Sequence, residues 1–144
     1  MTVAKILQSK GSADVVTITS DREVAEAAKV LSEKRIGSLV VSDDGHTAIG
    51  ILSERDIVRE IGRRGSGSLS DQVADMMTKK LVTCERGDRA DAVLQKMTEG
   101  RFRHMPVVEN GRLAGIVTLG DVVKYRLSEV SMEKDALEGM IMGH

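Results

Sequence analysis

Apolar residues along this chain follow a pattern that is written twice. Val24, Ala27, Ala28 and Leu31 stand at i, i+3, i+4 and i+7, the spacing of one face of a helix. Ala90, Val93, Leu94 and Met97 repeat that face 66 residues later. The same offset lays Val16 and Thr17 on Val82 and Thr83, and Leu39-Val40-Val41 on Met105-Pro106-Val107. One residue is then lost in a turn. At an offset of 65, Gly50-Ile51-Leu52-Ser53 falls on Gly115-Ile116-Val117-Thr118, and Asp56-Ile57-Val58 on Asp121-Val122-Val123. The lead-ins, Val3-Ala4-Lys5-Ile6-Leu7 and Val73-Ala74-Asp75-Met76-Met77, agree at an offset of 70. Four matching segments in one order establish an internal duplication.

Each copy predicts the order helix, strand, helix, strand, strand, helix. The lead-in helix carries Val3, Ile6 and Leu7, or Val73, Met76 and Met77. A short strand follows at 15–19 or 81–84, then the amphipathic helix, opened in the first copy by Ser20 and Glu23 as a capping box. Two strands come next, Leu39-Val40-Val41 and Ile49-Gly50-Ile51-Leu52, joined around Asp43-Asp44-Gly45. The second copy has the shorter Glu109-Asn110-Gly111, an Asn-Gly hairpin signal. A last helix starts near Ser53 or Thr118. The class is α/β (α+β), two βαββα units each with a lead-in helix. One copy alone would leave three short strands with an uncovered apolar face, so the copies are expected to cover each other. The first unit is placed at 3–61 and the second at 73–127. Residues 62–72, with Gly62, Gly65 and Gly67, read as a flexible linker. Running into the tail, 128–144, Leu127, Val130, Leu137 and Ile141 follow heptad-like spacing broken by Lys134. That predicts a packed terminal helix, with a short intermolecular helix pair as the alternative.

Composition narrows the function. With 41% apolar and 30% charged residues and a net charge of −1, the chain is ordinary globular protein without a basic surface for nucleic acid. Phe102 and Tyr125 are its only aromatic residues, too few for stacked bases, so the core is aliphatic and methionine-rich. A single cysteine, Cys84, points to a reducing compartment, and it falls on Ile18 of the other copy, a core position. No stretch approaches a membrane span and no signal-peptide pattern opens the chain, so a cytoplasmic location is expected.

Candidate chemistry is sparse. His46, His104 and His144 have no metal-ligand spacing, no nucleophile-and-base pattern stands out, and no glycine-rich phosphate loop joins a strand to a helix. The repeated motif is Gly50-Ile51-Leu52-Ser53-Glu54-Arg55-Asp56 and Gly115-Ile116-Val117-Thr118-Leu119-Gly120-Asp121. Ser or Thr with Asp three residues on caps helices for stability alone. The same geometry suits a ligand: a helix N-terminus and a hydroxyl for phosphate, and a carboxylate for two ribose hydroxyls. A second element is Lys34-Arg35-Ile36-Gly37-Ser38 against Arg101-Phe102-Arg103-His104. Cations there suit a helix C-terminus, and the second copy adds Arg103 and His104, more than capping requires. The phosphate is expected beside Thr118 and Asp121 first.

These residues together resemble tandem CBS domains, the pair called a Bateman module. The carrying motifs are the two lead-ins, Arg35 to Val41 and Arg101 to Val108, and the two strand-to-helix motifs; they span nearly the whole chain. The resemblance implies a pseudo-two-fold pair with two clefts that bind AMP, ADP or ATP, with NAD(H) and S-adenosylmethionine as alternatives. It implies that Asp56 and Asp121 hold ribose and that Ser53 and Thr118 face phosphate, with Arg55 and Gly120 in the same motifs. Val16, Thr17, Val82 and Thr83 would embrace the adenine from the other repeat. Ile36, Gly37 and Ser38, and Phe102, Arg103, His104, Met105 and Pro106, would form the apolar walls and phosphate-side cations. It also implies a homodimer and a regulated partner protein, with no catalysis and no metal. A structural dimerisation module with vestigial clefts is the second reading, and a nucleotide-processing enzyme the third. Val40 stands where the family often has the proline found at Pro106.

Overall fold

In the computed structural model, residues 2–10 and 15–141 are described. His144 and the side chain of Ile141 lie outside them. The first repeat runs through α1 (Val3–Lys10), β1 (Thr17–Ile18), α2 (Val24–Lys34), β2 (Ser38–Val41), β3 (Gly50–Ser53) and α3 (Glu54–Arg64). After a 3₁₀ turn at Ser66–Ser70 come α4 (Val73–Met76), α5 (Ala90–Gly100), β4 (His104–Glu109), β5 (Arg112–Thr118) and α6 (Leu119–Ile141). The mixed helix-and-strand class and the duplicated order are as the sequence predicts.

In the first repeat β2 is central, parallel to β1 and antiparallel to β3, with Ser38 opposite Ser53. In the second, β4 and β5 pair alone, and Asn110 (φ 52°) and Gly111 (φ 76°) make the predicted turn. The strand predicted at 81–84 is reduced to one parallel bridge, Cys84 to Val107. Pro106 explains the difference. In the first repeat the Val40 N–H donates to the Val16 carbonyl at 3.3 Å. Pro106 stands at the matching position and has no N–H to give.

The lead-in helices change partners. Val3 and Ile6 of α1 are buried with Val93, Met97, Met105 and Val117, in the core of the second repeat. Val73 and Met76 of α4 are buried with Val24, Leu31, Leu39 and Leu52, in the core of the first. Backbone bonds agree: Val3 N–H donates to Asp88 O, and Val73 N–H to Arg22 O. Each core is therefore completed from the sequence that precedes the other repeat.

Three expectations are corrected. Ser20 does not cap α2; its N–H and hydroxyl both go to the Asp43 carboxylate, and Glu23 is the N-cap without a side-chain bond. The linker is ordered: α3 continues through Gly62 to Arg64, Arg64 pairs with Asp71 at 2.6 Å, and Ser68 is buried with its hydroxyl on Gly65 O. A helical C-terminus with cations on nearby carboxylates overrides the loop preference of its glycines. The tail is not packed in the monomer. Leu127, Val130 and Leu137 lie on the long helix α6 with their side chains exposed among the described residues.

Candidate functional site

The strand-to-helix junctions are built alike. Ser53 N-caps α3, its hydroxyl accepting from the Asp56 N–H at 3.2 Å, while the Asp56 carboxylate accepts from the Ser53 N–H at 3.0 Å. At the head of α6, Thr118 Oγ1 accepts from the Asp121 N–H at 3.1 Å, and Asp121 accepts from the Thr118 N–H at 2.9 Å. Both motifs are thus reciprocal caps, which fixes each hydroxyl and carboxylate at the mouth of a helix. Each helix start is also tied to the opposite wall of its own repeat, Glu54 N–H to Gly37 O and Leu119 N–H to Arg103 O.

Two clefts flank these junctions, each drawing on both repeats. The first, about 830 Å³, joins Ser53, Asp56 and Ile51 to Leu81, Val82, Phe102 and Pro106 of the second repeat. Arg55, Arg59, Lys80, Arg101 and Arg103 also line it, five cations against the Asp56 carboxylate. The second, about 370 Å³, joins Gly115, Ile116 and Thr118 to Val15, Val16, Ile36, Gly37 and Ser38, with Leu7, Lys10 and Arg35. A third cavity, about 680 Å³, lies between the starts of α3 and α6 and holds Arg55, Arg103, Gly120 and Lys124. His104 lines all three.

The electrostatics of the clefts differ. Asp56 is buried and takes Arg59 at 2.9 Å from its own helix. Asp121 takes Lys10 Nζ at 2.8 Å, and Lys10 also donates to Ile116 O. Burial works to raise the Asp121 carboxyl, but the Lys10 and Thr118 bonds outweigh it and hold it below the usual carboxylate range. Burial pushes the His104 imidazole below its usual value, with Glu54 opposing and Arg103 assisting, so the ring is neutral at pH 7. The Cys84 thiol, buried in the second core, is pushed up to about 12 by burial and by Asp88, the state of an unreactive core residue.

Most of the residues singled out in the sequence are brought together here. Val16, Ile36, Gly37, Ser38 and Thr118 share the second cleft, with Asp121 at its edge through the Thr118 cap. Ser53, Arg55, Asp56, Val82, Phe102, Arg103, His104 and Pro106 share the first. Five do not line either cleft, among them Gly120, which lines the third cavity, and Asp121 at the edge of the second. Met105 is fully buried in the second core because the pleat of β4 turns it inward. Thr17 is taken up in β1 opposite Val40, and Thr83 lies outside the walls beside Val82. Arg103 lines the first cleft with Ser53 and Asp56 and also the third cavity with Thr118 and Gly120. Sequence reading missed Lys10, Arg59 and Lys80. Lys10 and Lys80 stand 70 residues apart, the lead-in offset, and extending the alignment past Leu7 and Met77 would have exposed them. Among the described residues no cluster of His, Cys, Asp and Glu is placed to hold a metal ion, and no helix is long and apolar enough to cross a membrane.

Comparison with known proteins identifies the repeat and the fold. The CBS domain model matches residues 4–63 and again 73–128. A mitochondrial CBS domain-containing protein of Arabidopsis thaliana, CBSX3, is 36% identical over 99% of this chain and 72% of its own length. The crystal structure of a CBS-domain protein from Agrobacterium tumefaciens is 46% identical, covering 88% of this chain and 99% of that one, with a TM-score of 0.83. The CBS domain pair of protein MJ0100, solved with 5′-methylthioadenosine and S-adenosyl-L-methionine, is 26% identical over 90% of this chain and 98% of its own, with a TM-score of 0.79. This chain belongs to the CBS-domain family as a tandem pair, a family of regulatory ligand-binding modules.

Proposed function

We propose that this CBS pair is a non-catalytic sensor of adenine nucleotides, AMP or ATP before NAD(H), which binds them in the inter-repeat clefts and signals to a partner protein. The observation that carries the reading is the makeup of the first cleft. An apolar wall of Val82, Phe102 and Pro106 faces a helix-capping carboxylate, and five cations surround the rest. The wall suits a base held between apolar side chains. Asp56 suits the two ribose hydroxyls, and Arg55, Arg101 and Arg103 suit phosphate oxygens. A sulfonium ligand such as S-adenosylmethionine has the favourable precedent of MJ0100. The cationic lining weighs against it, since a positive ligand would meet like charge.

The signal requires that the ligand favour one of two states. A homodimer supplies a second state in this reading. Val58 on α3 and Val123 on α6 occupy the same position of the two repeats, and both are exposed, 67% and 43%. Such paired apolar positions suit burial against a second copy. A single buried thiol suits a reducing compartment, and the cytoplasm is our assignment.

Calorimetric titration with AMP, ATP, NADH and S-adenosylmethionine tests the reading. Saturable binding of a nucleotide, weakened at least tenfold by Asp56→Ala, is the expected result. Binding of none of the four would overturn it, and nucleotide turnover in the cell would replace it with an enzyme.

A further inference from the structure

The two clefts carry matching lysines at the ends of their lead-in segments, and the lysines do different things. Lys10 closes α1 and reaches into the second cleft, where its ammonium sits 2.8 Å from Asp121 Oδ2 and donates to Ile116 O at 3.0 Å. Both side chains are largely withdrawn from water, at 29% and 22% exposure. Lys80 lines the first cleft at the equivalent position, yet the Asp56 carboxylate is taken by Arg59 of its own helix. Both carboxylates therefore carry a cation, but only in the second cleft does it come from the lead-in helix and also bind a strand carbonyl of the wall. It is also the smaller, about 370 against 830 Å³.

We propose that Lys10 is an internal occupant of the Thr118–Asp121 cleft, which a nucleoside enters only by displacing it. The proposal rests on the reading of the clefts as nucleotide sites. Lys10 sits on Asp121 Oδ2 beside the Thr118 N–H, and a ribose that takes both carboxylate oxygens needs that place, so the two compete there. Displacement has a mechanical consequence. Lys10 ends a helix whose Val3 and Ile6 are buried in the second core, and Val15 and Val16, the next described residues, line the same cleft. Filling the second cleft would then free the end of α1, whereas filling the first would not. The clefts load in order, the larger one first, because the Arg59 on its carboxylate is 62% exposed and can turn aside into solvent, and only the second event reports through the lead-in helix.

The test uses the wild-type chain, its Lys10→Met variant, and the full chain with Asp56→Ala to silence the first cleft, alone and combined with Lys10→Met or Lys10→Arg. Adenosine and AMP are titrated into each calorimetrically, and melting curves confirm that each is folded. Adenosine is the decisive probe, because it carries no phosphate for a lysine to bind. Removing the lysine is expected to tighten adenosine binding about fivefold, the scale of a partly exposed ion pair, and Lys10→Arg to leave it unchanged. Unchanged or weaker adenosine binding in Lys10→Met overturns the proposal, and AMP weakened in step would make Lys10 a phosphate ligand instead. A ligand-free check is the Asp121 carboxyl titration by NMR, which Lys10→Met must shift upward; no shift removes the ion pair on which the idea stands. If the proteins with Asp56 intact bind neither probe, the cleft reading itself has failed. Binding that depends on Asp56 alone, with no second site in Lys10→Met, sinks only the role given to Lys10.

Discussion

Leu7 fills the space in which Gly115 would carry a side chain: a Cβ built there lies 2.9 Å from Leu7 Cδ2. The other junction repeats the contact, with Met77 Sδ 2.5 Å from a Cβ on Gly50. Each lead-in segment therefore lies directly against the bare backbone of the strand it covers. The glycine that opens both strand-to-helix motifs has a structural reason, namely close approach.

Alanine at these positions should destabilise unequally. At Gly50 the new methyl also meets the Thr78 carbonyl at 3.2 Å, backbone that cannot swing away. We expect Gly50→Ala to cost about 1–3 kcal/mol and Gly115→Ala less, since only the tip of Leu7 must move. Urea denaturation measures both, and Leu7→Ala should relieve Gly115→Ala in a double-mutant cycle.

The Asp121 carboxyl is held below its ordinary range, so its contribution is present above the unfolded value, about 3.9, and is lost as pH falls through the lower folded value. Lys10→Met should flatten the acid limb of the stability curve below about pH 4, measured by denaturant midpoints across pH.

Cys84 has the opposite sign. Its folded value near 12 exceeds the ordinary 9, so stability is full below about pH 9 and falls as pH rises from there toward 12. Cys84→Ala should remove that alkaline slope while costing about 1 kcal/mol at neutral pH from the lost buried sulfur. A thiol reagent at pH 8 should label the native chain only at the rate of unfolding.

Pro106→Val restores the N–H that the second repeat lacks. Slowed amide exchange at position 106, from a new bond to the Val82 carbonyl, is the expected result. The first cleft should narrow with it, since Val82 and Pro106 both line it.

Beyond Val130 the side chains of α6 are exposed through Glu138. Ending the chain after Ser131 should change monomer stability by less than about 1 kcal/mol. A larger loss that depends on protein concentration, seen by sedimentation, would show that this face is covered in a dimer.

Much of the fold was legible because it rests on local periodicity and duplication. The face Val24, Ala27 and Leu31 is buried as its spacing predicts, and Val93 and Met97 follow it. The Asn110-Gly111 turn and the capping boxes at Ser53 and Thr118 are sequence-local devices, so they too could be read. The Ser20–Glu23 box could not, because it has the same short-range grammar but Asp43 competes for Ser20 from 23 residues away.

By itself the sequence determined two incomplete α/β units, their element order, and the pairs Ser53–Asp56 and Thr118–Asp121 at two helix starts. Tertiary structure alone decided which core each lead-in helix completes, and with it which lysine meets which carboxylate. The physical reason is range. A cap or a hairpin closes within a few residues, so its chemistry is written where it acts. Lys10 meets Asp121 across more than a hundred residues of chain, and only packing Val3 and Ile6 into the second core brings them together.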